Sequence, residues 1–259
     1  MSKRRNALSL TPEEWHAWYV TQAGWTSQTR QWLYREAGLA QAHAVLEVGC
    51  GSGVIADELA QLGPARVVGL DCDPLPLAFA RQRGGGVAYV QGDAHVLPFP
   101  DGAFDLVVCH YLFLWLADPV QGVREMARVV RLAGRVLACA EPDYGGRVDH
   151  PPELVALGRL QAESLRRQGA EPEMGRRLGD IFAAAGLRAQ LGTMAGYWRL
   201  PDSPGAGFEA EWAMRERDLA GLLSPGELRR LRAVDRQALA DGRRVLFVPT
   251  FYALGKKMV

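Results

Sequence analysis

The densest chemistry in the sequence lies at Val45-Leu46-Glu47-Val48-Gly49-Cys50-Gly51-Ser52-Gly53, a carboxylate followed by glycines at +2, +4 and +6. Glycine has no Cβ, so such a run lets the backbone approach a ligand closely. A dinucleotide-binding turn would read G-x-G-x-x-G, but position 54 is Val, and an acid ahead of the first glycine repels a pyrophosphate. The same carboxylate attracts an ammonium or a sulfonium. More polar side chains recur downstream: Asp71 in Gly69-Leu70-Asp71-Cys72-Asp73-Pro74, Asp93 in Gln91-Gly92-Asp93-Ala94-His95, and His110 after Phe104-Asp105-Leu106-Val107-Val108-Cys109. A histidine at a strand tip titrates near neutrality and is the first candidate for a general base. Asp143 and Tyr144 in Glu141-Pro142-Asp143-Tyr144 come second, and His150 third.

Taken in order and spacing, these motifs resemble the class I S-adenosylmethionine (SAM)-dependent methyltransferases of the small-molecule, methyltransferase-11/25-like type. The resemblance covers about residues 40–145, including the stretch Gly92-Asp93-Ala94-His95-Val96-Leu97-Pro98-Phe99-Pro100-Asp101-Gly102-Ala103-Phe104-Asp105. It implies that Glu47, Gly49, Cys50, Gly51 and Gly53 hold SAM, and that Asp71, beside Cys72, accepts hydrogen bonds from both ribose hydroxyls. Asp93 would accept from the adenine amine while the Ala94 and His95 backbone bonds the ring edge. Cys109 and His110 would reach the methionine end, and Tyr19, Trp25 and Arg30 would close over the cofactor. An aromatic face suits a sulfonium, and Arg30 suits a carboxylate. Tyr111, Trp115, Asp143, Tyr144 and Arg176 are the implied acceptor contacts, with S-adenosylhomocysteine as the product and no metal. Glu141-Pro142-Asp143-Tyr144 only superficially matches the N/D-P-P-Y/F motif of amino-methylating nucleic-acid enzymes. Its first residue is Glu, Asp replaces the second proline, and it follows the fifth strand instead of the fourth.

The elements that must position these residues alternate in period. Thr11-Pro12-Glu13-Glu14 offers an N-cap, a first-turn proline and acids, and opens helical stretches over 11–40, the second of them near 25–37. Strands are expected at 44–48, 66–70, 87–90, 104–109 and 135–140. Helices are expected at 53–62, 74–83 and 118–130. The pattern predicts an α/β fold: a Rossmann-like, doubly wound, seven-stranded sheet, mostly parallel with an antiparallel last strand. Its ligand site belongs at the carboxyl ends of the strands. The organisation expected is an N-terminal helical cap over 1–40 and a methyltransferase domain over 41–259, with helical insertions at about 147–185 and 203–241. Ser224-Pro225-Gly226-Glu227 reads as a capping box, 201–207 as a loop, and 187–199 and 245–254 as late strands. Tyr197, Trp198, Phe208, Trp212, Phe247 and Phe251 either line an apolar acceptor pocket or fill a core.

Composition sets the outer bounds. The 259 residues carry 30 Lys+Arg against 29 Asp+Glu, a balance unlike that of a polyanion-coating protein, and only three of the cations are Lys. Four scattered cysteines make neither a disulfide framework nor a zinc site, so a reducing cytoplasm is expected. The longest apolar run, 106–117, falls short of the roughly 20 residues that span a bilayer. The reading is therefore a methyltransferase acting on a small-molecule O, N or C acceptor, a monomer or homodimer with neither nucleic-acid nor membrane partner. A non-catalytic SAM-binding protein, or an RNA or protein methyltransferase, is the alternative.

Overall fold

The computed structural model describes residues 11–63, 66–194 and 205–257. Seven strands form one sheet in the order β3-β2-β1-β4-β5-β9-β7: β1 (Ala44–Val48), β2 (Arg66–Asp71), β3 (Ala88–Gln91), β4 (Phe104–Cys109), β5 (Val130–Pro142), β7 (Arg188–Thr193) and β9 (Thr250–Lys256). The first five run parallel, and β9 lies antiparallel between β5 and β7. Strand order reverses at β1, which pairs with β2 on one side and β4 on the other, and such a switch point is where sheets of this kind bind ligands, at the tips of β1 and β4.

Alternation along the central strands separates two cores. Val45, Val67, Leu106 and Val108 face α1 (Pro12–Glu36) and α2 (Val54–Leu62). Leu46, Val68, Val107 and Cys109 face α4 (Pro119–Val129) and α6 (Leu178–Ala184). These strands are buried on both faces, which is why they read as continuous apolar runs. Helix α3 (Pro74–Arg83) packs beside α1.

Two differences from the sequence reading matter. The two N-terminal helical stretches are one helix of 25 residues, opened by a complete Thr11/Glu14 capping box. Gly24 interrupts neither packing nor period, because Ala23, Thr26, Arg30, Leu33 and Tyr34 bury one stripe across it. The late strand over 245–254 is two: β8 (Val245–Phe247) leaves the main sheet and pairs with β6 (Val148–His150). Tyr197, Trp198 and most of the 201–207 loop lie outside the described residues.

Helices α5 (Val155–Arg167), α7 (Ala206–Asp218) and α8 (Pro225–Ala240) form a third, smaller core around Trp212. Phe208 and Trp212 are thus core residues and not pocket walls. Ser224 and Glu227 make the expected capping box of α8. At the centre Asp235 accepts from Trp212 Nε1 (2.7 Å), Arg215 Nη1 (2.8 Å) and Arg244 Nε (2.7 Å). Removing that carboxylate strands the Trp212 N–H and leaves both guanidiniums to share Glu211 alone. Asp235→Ala is expected to destabilise the protein by about 1–3 kcal/mol in urea unfolding.

Candidate functional site

The turn from β1 to α2 is built on backbone that side chains resist. Gly49 and Gly53 sit at φ +78° and +85°. A Cβ at Gly49 would lie 2.7 Å from Leu112 Cδ1, and one at Gly53 would strike the Tyr89 hydroxyl. Both neighbours are fixed: Leu112 is in the core, and Tyr89 donates to Asp57 at 2.9 Å. Between them Gly51 N–H donates to Asp71 Oδ2 (2.8 Å), while Asp71 Oδ1 accepts from Asp73 N–H (2.9 Å). The loop is therefore tied to the tip of β2 through the acid singled out for the ribose.

Glu47, 1% exposed, stands in β1 opposite Gly69 and Val108. Its Oε2 is buried without a hydrogen-bond partner. Burial first, and the neighbouring Asp71 second, push its carboxyl up to about 8, against a bond from the Ala56 N–H. Cys50 is buried beside it and Cys72 is exposed. Asp93 projects at the tip of β3, where its Oδ1 accepts from His95 N–H (2.9 Å) and contacts His95 Nδ1 (2.7 Å). The His95 N–H expected at an adenine edge is thus already used. Ala94 is buried against the core. Cys109, also expected at the cofactor, is buried among Val48, Val107 and Val136 and presents no side chain to the crevice.

Helix α1 closes over this loop. His16 Nδ1 lies 2.8 Å from Ser52 Oγ, and a Cβ on Gly51 would sit 3.2 Å from the Tyr19 ring, which stacks on Trp15. Thr26 Oγ1 lies 2.9 Å from His110 Nε2. Two residues expected at the cofactor are elsewhere. Trp25 is 53% exposed and meets Trp18 edge to face. Arg30, 1% exposed, spends its fork on Glu58 (Nε 2.9 Å, Nη2 2.5 Å), the Ala23 carbonyl (2.8 Å) and Thr26 Oγ1, leaving no free pair for a ligand carboxylate.

On the acceptor side, burial and then the charge of Arg30 push His110 down to about 3, so it is neutral at working pH. That makes it a weak base. Tyr111 follows at φ +52°, a conformation rare for a bulky residue, with its ring 4.4 Å from His110. Glu141, fully buried, holds this turn by accepting from the N–H groups of Leu112 (2.8 Å), Phe113 (2.8 Å) and Leu114 (3.2 Å). Trp115 is half-buried just beyond. Asp143 and Arg176 pair with each other (2.5 and 2.7 Å), so both proposed acceptor contacts are engaged. Tyr144 is half-buried at the end of β5.

Two further residues on α7 carry no signal in the sequence. Arg217 lies over the Trp15 ring at 4.4 Å with Nη1 buried and unpartnered among the described residues. Asp218 is pushed up to about 6 by burial. No periodic or turn signal marks them.

The Glu47 carboxyl makes one prediction about stability. Its folded value lies above its unfolded one, so protonation favours the native state and the benefit is lost as pH rises toward about 8. Glu47→Gln is expected to gain on the unmodified protein between about pH 5 and 8, by at most about 1.4 kcal/mol per unit. Urea unfolding across that range reads it.

The sequence pattern of the family described as "Methyltransferase domain" matches residues 46–138. The demethylmenaquinone methyltransferase of Deinococcus radiodurans is 39% identical over 121 residues, 44% of this chain and 50% of that protein. The ubiquinone biosynthesis O-methyltransferase of Pseudomonas paraeruginosa is 37% identical over 110 residues, 40% of this chain and 47% of that protein. The chain thus spans about half the length of these curated relatives. Among solved structures, phosphoethanolamine N-methyltransferase 2 of Haemonchus contortus, in complex with SAM, superposes with a TM-score of 0.56 at 16% identity, covering 88% of this chain and 51% of that one. At that identity the likeness concerns the fold. Glycine loop, strand-tip acids and sheet order accord with that pattern: residues 46–138 match the methyltransferase domain family, and the fold is the one these solved structures share.

Proposed function

We propose that the chain is a SAM-dependent methyltransferase that methylates a small molecule at O, N or C. The observation that carries the reading is Glu47: a dehydrated carboxylate with one unpartnered oxygen, beneath a glycine turn that Asp71 holds in place. A diphosphate would bring no positive charge to draw the proton from Glu47 and would meet the acidic Asp71 beside the turn. A nucleoside bearing an ammonium and a sulfonium is complementary in charge to both acids. Bound at this site, SAM supplies an activated methyl group that needs only an aligned nucleophile.

The chain's own residues then divide the work. Glu47 meets the cation, Asp71 accepts from the ribose, and Asp93 retains Oδ2 for the base. Tyr19 and the rest of α1 shut water out from above the turn. Alignment of the acceptor contributes most of the rate, of order 7–11 kcal/mol when two reactants are held in line. Where the nucleophile must lose a proton, His110 serves poorly as its base, since burial keeps its affinity for a proton low.

A balanced net charge and aromatic residues around the β4 and β5 tips favour a small acceptor over a nucleic acid. The names of the two relatives point the same way. No described helix is long and apolar enough to cross a membrane, and none of the four cysteines is in a disulfide, which suits a reducing cytoplasm.

Two experiments test the reading. Labelled SAM incubated with the protein and a metabolite extract is expected to give a labelled small molecule, and failure across extracts overturns methyl transfer. By calorimetry, Asp71→Ala is expected to weaken SAM binding at least about tenfold, or ~1.4 kcal/mol. At pH 7 binding is also expected to release close to one proton, because a cation beside Glu47 drives its ionisation. Glu47→Gln abolishes that release.

A further inference from the structure

We infer that Thr26 holds His110 as the neutral imidazole with its proton on Nδ1, so that this strand-tip histidine donates a hydrogen bond in the crevice instead of taking a proton. The assignment comes from counting donors and acceptors. Thr26 is buried on α1, and its Oγ1 stands 2.9 Å from His110 Nε2. A hydroxyl has one proton and two lone pairs. One lone pair is taken by Arg30 Nη1, which can only donate.

The hydroxyl proton has two destinations, Nε2 at 2.9 Å or the Ala23 carbonyl at 3.3 Å. That carbonyl already accepts the helical N–H four residues on and the other Nη1 hydrogen of Arg30 at 2.8 Å. Both of its lone pairs are therefore occupied. The proton goes to Nε2. A neutral ring that accepts at Nε2 keeps its own proton on Nδ1.

The groups around His110 work in the same direction. Arg30 faces it from α1 and makes the Thr26 hydroxyl a stronger donor and a weaker acceptor. Behind Arg30, Glu58 on α2 fixes the guanidinium through Nε and Nη2. From the histidine's own segment Tyr111 lies against the ring, and burial keeps its phenol protonated. The chain Glu58–Arg30–Thr26–His110 is thus polarised from end to end. Thr26 and Arg30 are positioning residues, acting on the crevice only through His110.

The consequence for the acceptor rests on the methyltransferase reading. A nucleophile that reaches the site already ionised, such as an enolate or an acidic phenolate, is stabilised by the Nδ1–H. One that must hand its proton to His110 is not served.

The test is the ring's nitrogen spectrum. Protein with 15N-labelled histidine is recorded without cofactor by long-range proton–nitrogen correlation from pH 6 to 8. His110 is assigned by replacing His16, His43, His95 and His150 one at a time. The native protein and Thr26→Ser are expected to show a protonated Nδ1 and an unprotonated Nε2 throughout. Thr26→Val, which can neither donate nor accept, is expected to shift the Nε2 resonance by removing its hydrogen bond. A proton on Nε2 in the native protein, a charged ring anywhere in that range, or an unchanged spectrum in Thr26→Val overturns the inference. Should Thr26→Val fail to fold, the native spectrum decides alone. Because the measurement needs no SAM, a failure to bind SAM would strike the methyltransferase reading and leave this one standing.

Discussion

A carboxylate taken out of water costs several kcal/mol unless a proton or a cation meets it. Glu47 is where this protein carries that cost, and the surrounding site follows from it. The register of β1 sets Glu47 between Gly69 and Val108, with the core below and the first turn of α2 above. Gly69 has to be small there, since a Cβ would lie 2.9 Å from the Tyr89 ring and 3.0 Å from Cys50 Sγ. The nearest cation, Arg30, is committed to Glu58 and does not neutralise it. Glu47 is left to hold a proton or to await a positive ligand, which is what a selective cation site requires.

Helix α1 belongs to the same argument. Its inner stripe packs on the sheet through Leu33 and Tyr34, while His16, Tyr19 and Thr26 reach the glycine turn and the tip of β4. One element thus couples core packing to closure of the crevice. The arginine-rich composition has a structural use here as well. The Arg30, Arg147 and Arg215 side chains are buried with carboxylate partners at 2.5–2.8 Å, a role that suits a planar fork better than an ammonium.

Much of this was legible in the sequence wherever the signal was local. Buried strands announce themselves as apolar runs, and Thr11, Asp73, Asp118 and Ser224 cap helices by contacts within three residues. The glycine turn is legible because only glycine tolerates its φ angles beside Leu112 and Tyr89. Partner choice was not legible. Arg30 answers Glu58 across 28 residues and Arg176 answers Asp143 across 33, so both arginines looked available to a ligand. The pairing of β6 with β8 is not legible either, because each strand is three residues long. Arg217 and Asp218 gain meaning only from burial against α1 and α5, which no periodicity records.

Dehydration also separates the acid–base roles. Leaving water disfavours whichever form is charged, so the same burial lowers an imidazole and raises a carboxyl. His110 falls to about 3 and Asp218 rises to about 6, which inverts the order expected of free side chains. A strand-tip histidine read from sequence is therefore a natural base only while it is wet. Beside Arg30 and under Thr26 it becomes a fixed dipole with little part in whatever proton traffic the acceptor needs. Surroundings set the task a titratable group can perform, and at His110 they are imposed by α1 more than by the motif itself.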